Sequence, residues 1–122
     1  MTRRKLSEFL QDVLDAISDI EAFTLDVEFE DFRNNREKVF AVVKLIEILG
    51  EAVKQIPNQI RARYPEIPWQ SIAGMRDVLV HQYWGVDVNV VWATVQEGLP
   101  PLKAVVIEIQ QRLFDPSPDD QE

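Results

Sequence analysis

The stretch GMRDVLVHQYWGVD, residues 74–87, holds the only histidine of the chain, His81, with Arg76 five residues before it and Tyr83 two after. These are side chains suited to phosphoryl chemistry. Histidine takes up and releases protons near neutral pH. Arginine stays charged, and its planar fork donates bidentate hydrogen bonds to phosphate oxygens. Scission of RNA by the ribose 2′-hydroxyl needs a base to remove the 2′-hydroxyl proton and an acid to protonate the departing 5′-oxygen. One imidazole cannot easily be both at once. Two copies of the motif, from two chains, would supply two His81 side chains for the two roles. Two Arg76 side chains would then hold the phosphate and stabilise the added charge of the transition state. Asp77 could orient the imidazole or raise its pKa, as a nearby carboxylate does. This chemistry requires no metal. With one histidine and no cysteine, a zinc site would have to be built mostly from carboxylates. The same residues also read as ordinary helix-end side chains: a capping histidine, a surface arginine, and a tyrosine with a packed ring and a wet hydroxyl.

The element that carries the motif sets its geometry. Pro68 suits the first position of a helix, and PWQSIAGMRDVLVHQY is expected to run helically to a stop near Gly85. On such a helix Asp77, His81 and Trp84 share one face, and Arg76, Val80 and Tyr83 a neighbouring one. Arg76 and His81 then lie about 140° apart around the axis. They can converge if the helix ends near His81 and lets it swing, or if a second copy of the motif faces the first.

The rest of the chain reads almost entirely with helical period. LSEFLQDVLDAISDIEAF places Leu6, Phe9, Leu10, Val13, Leu14, Ile17 and Ile20 on one stripe, predicting a helix over about residues 4–24. TLDVEFEDFRNN reads as a short helical turn or loop. In NREKVFAVVKLIEILGEAVKQI, Asn34 and Glu37 have capping-box spacing. Apolar residues from Val39 to Ile56 cover most of that helix, so it is either central or shared with a second subunit; Pro57 ends it. NQIRARYPEIP reads as a short polar connection with room for one helical turn. Asp87 can cap VNVVWATVQ. Gly98, Pro100 and Pro101 interrupt the pattern before PLKAVVIEIQQRLF resumes it, as a kinked continuation or a new helix. Trp69 and Trp92 are expected in the core. Trp84 could stack on a base or simply pack at an interface. The expected fold is all-α: an up-and-down bundle of four to five helices forming one domain over residues 1–114, with a disordered acidic tail at 115–122.

Composition bounds the function. The chain has 122 residues, 46% hydrophobic and 28% charged, which suits one soluble domain with a real core. No cysteine is present to form a disulfide. The N-terminus lacks the apolar segment of a signal peptide, and no apolar run is long enough to cross a bilayer, so a cytoplasmic location without membrane attachment is expected. The net charge of −8 disfavours general binding to nucleic acid, so any contact with RNA must use a local basic site. Arg33, Arg36, Arg61 and Arg63 are candidate phosphate contacts outside the motif; each also reads as a solvated surface charge.

The block IPWQSIAGMRDVLVHQYWGVDVNVVWATVQEGLPPLK, together with the earlier IEILGEA at residues 46–52, resembles the HepT-like, DUF86-type branch of the HEPN superfamily. The signature R-x4-H-x-Y stands here as Arg76, His81 and Tyr83, and Asp77 occupies a place where the family often carries Asn. The resemblance implies a HEPN-like homodimer that acts as a metal-independent endoribonuclease, with paired Arg76 and His81 in a cleft between subunits and no cofactor. It further implies the toxin of a type VII (HepT/MntA) toxin–antitoxin pair. Its substrate would be RNA rather than DNA, and its partner a minimal nucleotidyltransferase antitoxin of the MntA type that transfers AMP to Tyr83. The alternative is a non-catalytic helical subunit that binds a nucleotide or substrate for a nucleotidyltransferase.

Overall fold

The computed structural model describes residues 5–75, 80, 81 and 85–114. The first helix, α1, spans Leu6–Thr24 and buries Leu10, Val13, Ile17 and Ile20 of the expected stripe, together with Ala16, while Leu6, Phe9 and Leu14 pack partly buried against the core. It ends at a buried Thr24, whose hydroxyl donates to the Ile20 carbonyl at 2.8 Å. Asp26 follows at a φ of 58°, turning the chain away. The polar stretch beyond it forms the short α2, Phe29–Arg33, as expected. Its Phe32 is fully buried, with its ring 5.1 Å from that of Trp92.

Helix α3, Arg36–Val53, is the centre of the fold, packing against α1, α2 and later elements. Its N-cap is Asn35, which accepts a hydrogen bond from the Lys38 amide at 3.0 Å, so the cap lies one residue beyond the Asn34–Glu37 box read from the sequence. Two adjacent asparagines offered the same chemistry; the packing of Val39, Val42, Val43 and Ile46 into the core chose the phase. Phe40 and Ile48 remain 46% and 42% exposed, so α3 is central yet keeps apolar side chains at the surface.

The short α4, Asn58–Arg61, follows Pro57, and α5, Trp69–Ala73, follows Pro68. Pro68 is the N-cap of α5, one place before the position expected for it. Helix α6, Val88–Ala93, is capped by Asp87, whose carboxylate accepts from the Val90 amide at 3.3 Å. A wide π turn over Thr94–Gly98 joins it to α7, Leu99–Phe114, with the Leu99 amide reaching back to the Thr94 carbonyl. The helical pattern therefore continues through Gly98, Pro100 and Pro101. Both prolines fall in the first turn of α7, where a missing N–H and a fixed φ are tolerated. Helix α7 lies along α1, where Lys103 reaches Glu21 at 3.1 Å and Gln110 donates to Gln11 at 2.8 Å.

Tyr64 is buried beneath α7 and hydrogen-bonded to the Glu108 carboxylate. Burial first, then the negative charge of Glu108, raises its pKa above the ordinary phenol value; Arg112 and Arg63 act in the opposite direction. Among the described residues no helix is long and apolar enough to cross a membrane. The architecture is all-α, as expected, apart from one two-residue antiparallel pairing. The acidic tail at 115–122 lies outside the described residues.

Candidate functional site

The structure departs from the sequence reading where the motif begins. The helix expected to run from Pro68 to Gly85 is not continuous. Helix α5 closes at Ala73 with Gly74 as its C-cap. Val80–His81 is instead an extended strand, β1, paired antiparallel with β2, Gly85–Val86, in the register Val80 to Val86 and His81 to Gly85. Gly85 holds a φ of 90°, a conformation L side chains rarely adopt, so it shapes a hairpin rather than ending a helix. The β-branched Val80 and Val86 suit the strand positions. The expected helix therefore does not extend through His81.

The backbone of His81 is described; its side chain, and Arg76, Asp77, Tyr83 and Trp84, lie outside the described residues. What can be traced is how the fold delivers the chain to them. Helix α5 is fixed at its start by Trp69, whose indole N–H is shared between the Arg61 and Tyr64 carbonyls, each at 3.1 Å. Arg61 turns inward: its Nε donates to the Ile56 carbonyl at 2.9 Å and its guanidinium to the Val53 carbonyl at 3.0 Å. It caps the end of α3, satisfying carbonyls that the helix leaves orphaned, and is thereby withdrawn from the candidate phosphate contacts.

Gly50 lets α5 approach. A Cβ at this position would stand 3.1 Å from the Ile72 carbonyl oxygen, closer than side chains ordinarily tolerate. This accounts physically for the glycine of IEILGEA. Beyond Gly74, Met75 packs against the core and its sulfur receives the Thr94 hydroxyl at 3.8 Å, tying the residue before Arg76 to the π turn. Neither contact could be read from one sequence: a glycine inside a helix hints at close packing without naming the neighbour, and the Met75–Thr94 contact follows no period.

On the other side of the hairpin, Gly85 and Val86 line an open cleft of about 410 Å³ whose opposite wall carries Arg33, Arg36 and Phe40. Arg36 lies over the Phe40 ring, 5.1 Å from its centroid. Arg33 makes an exposed ion pair with Glu30 at 3.1 Å. Of the four arginines singled out by sequence, these two stand beside the strand that pairs with His81. Trp69 and Trp92 are packed in or against the core, as expected.

A family model described as Ribonuclease HepT-like matches residues 13–109. The chain is 48% identical over 103 residues to "Putative RNase MJ1216" of Methanocaldococcus jannaschii, covering 84% of this chain and 85% of that protein. It is likewise 48% identical over 101 residues to "Probable ribonuclease HepT" of Thermococcus cleftensis, covering 83% and 92% respectively. No solved structure matches the chain. The match runs from within α1 to within α7, across the strands that bear His81 and Gly85, and the chain accordingly belongs to the HepT-like ribonuclease family.

Proposed function

We propose that the protein is a metal-independent endoribonuclease toxin that works as a homodimer, with Arg76 and His81 of both copies meeting at one cleft. Membership of the HepT-like ribonuclease family carries this reading. The extended backbone at His81 and the apolar Ile48 left exposed on α3 support it. In the proposed reaction one His81 removes the proton from the ribose 2′-hydroxyl, and the 2′-oxygen attacks the adjacent phosphorus. The bond from phosphorus to the 5′-oxygen breaks, and the second His81 protonates the departing 5′-oxygen. The products are a 2′,3′-cyclic phosphate and a 5′-hydroxyl. Paired Arg76 side chains hold the non-bridging oxygens as charge builds. Asp77 supports the site by fixing the orientation or the protonation of His81.

Regulation follows from the same residues. A nucleotidyltransferase antitoxin of the MntA type transfers AMP from ATP to the Tyr83 hydroxyl and releases pyrophosphate. The attached phosphodiester competes for Arg76 and repels RNA. The pair forms a type VII toxin–antitoxin system acting in the cytoplasm.

The test uses the purified full chain with a defined RNA in excess EDTA. Cleavage should persist and leave a 2′,3′-cyclic phosphate. His81→Ala and Arg76→Ala should each lower kcat by about 10²- to 10⁴-fold while the dimer survives. Intact RNA after prolonged incubation, with His81→Ala altering only the activity of a bound nucleotidyltransferase, would overturn the reading in favour of a non-catalytic binding subunit.

A further inference from the structure

The cleft between the start of α3 and the hairpin has features that neither the packing nor the Arg–His motif uses. Two arginines and one aromatic ring face it in a chain whose net charge is −8. Phe40 is 46% exposed, an unusual place for a phenyl ring, and its partner across the ring face is the Arg36 guanidinium. Among the described residues Arg36 has no carboxylate partner. Arg33 does have one in Glu30, but both side chains are more than half exposed, so solvent screens the pair and a stronger acceptor can displace it. The far wall of the cleft is Gly85 and Val86, and Gly85 is the register partner of His81.

A planar cation laid on an aromatic ring is a surface on which an unpaired nucleobase can stack, and a second guanidinium beside it suits the phosphate that follows. We infer that Arg33, Arg36 and Phe40 form a binding subsite for single-stranded RNA next to the scissile linkage. Arg33 holds a backbone phosphate, and the Arg36–Phe40 pair carries the neighbouring base. This inference rests on the ribonuclease reading above and adds to it the part of the substrate that is gripped outside the motif. It also resolves the charge problem: an acidic protein engages RNA through one local basic cleft instead of a basic face.

The experiment compares the parent protein with Arg33→Gln/Arg36→Gln, Arg36→Lys and Phe40→Leu. The probe is a fluorescent heptanucleotide with 2′-O-methyl riboses, which cannot be cut by 2′-hydroxyl attack; cleavage is followed on the unmodified heptamer and on a dinucleotide. In the double variant the loss of Arg33 should lower the slope of log affinity against log salt by about 0.7, the value for one phosphate contact on a single strand. The double variant should bind roughly tenfold more weakly, raise KM, and lose its preference for the heptamer over the dinucleotide. Arg36→Lys should retain the salt slope. Phe40→Leu should weaken binding about tenfold with the slope unchanged. A purely structural role would move neither the slope nor the length preference. Parental binding and slope in the double variant would overturn the subsite while leaving the ribonuclease reading intact. A changed oligomeric mass in place of a changed slope would assign the cleft to an interface between copies and also overturn it. A parent protein that neither binds nor cuts RNA would overturn both.

Discussion

Substituting Gly85 by alanine separates the hairpin from the bundle. The residue holds a φ of 90°, and an added Cβ would meet no atom within 4 Å. No side chain needs to move, so the penalty is conformational alone. For an L-residue on the left-handed side of the Ramachandran map it is about 1–2 kcal/mol. The ladder it acts on is small, two residue pairs, with net hydrogen bonds worth about 0.5–1.5 kcal/mol each. The penalty is therefore comparable to everything the pairing contributes, and the paired population should fall about 5- to 30-fold relative to the open form. If only the paired form presents His81 to RNA, kcat/KM should fall with the paired fraction, by at most the same factor. The bundle core, buried elsewhere, should keep its unfolding midpoint, because the loss is a local opening. Amide hydrogen exchange across residues 80–86, measured beside cleavage of a defined RNA, reads both quantities. Gly85→Asn is the control: asparagine tolerates positive φ far better and should recover most of the activity. Parental activity in Gly85→Ala, or an equal loss in Gly85→Asn, would refute the role given to the hairpin.

Two further expectations concern the frame. Gly50→Val places a branched side chain against the Ile72 carbonyl; overpacking should cost about 1–3 kcal/mol, only partly offset by better helix propensity, and a urea denaturation series that shows no loss would refute the close approach. Tyr64, with its pKa raised in the folded state by burial and by Glu108, stays neutral there while the unfolded chain ionises near pH 10.0. Its stabilising contribution is therefore complete below pH 10.0 and is lost as the pH rises toward the folded value, by up to about 1.4 kcal/mol per pH unit. Tyr64→Phe should flatten that alkaline limb in denaturant titrations, and an unchanged limb would refute the assignment.

Much of the frame was legible because apolar periodicity reports burial directly. The stripes of α1 and α3 and the core placement of Trp69 and Trp92 follow from one rule, that an amphipathic face must be covered, and the Asp87 cap from the free amides at a helix start. The site was less legible. LVHQYWGVD reads with helical spacing, but β-branched Val80 and Val86 flanking a glycine serve a hairpin as well, and short apolar runs do not distinguish the two. The inward turn of Arg61 depends on orphan carbonyls some residues away in the chain, which no local pattern announces. The π turn let α7 resume across prolines that ordinarily mark an ending. In each case tertiary context decided what local propensity left open.

The pairings of Gln11 with Gln110 and of Glu21 with Lys103 run in opposite senses along the two helices. The opening turn of α1 and the closing turn of α7 therefore lie at one pole of the molecule. A short flexible linker from Phe114 back to Leu6 would close the backbone into a ring at small entropic cost. A circular permutant could then be opened in the exposed corner around Leu25 and Asp26, with every described helix uncut and the β1–β2 pairing in the interior of the new chain.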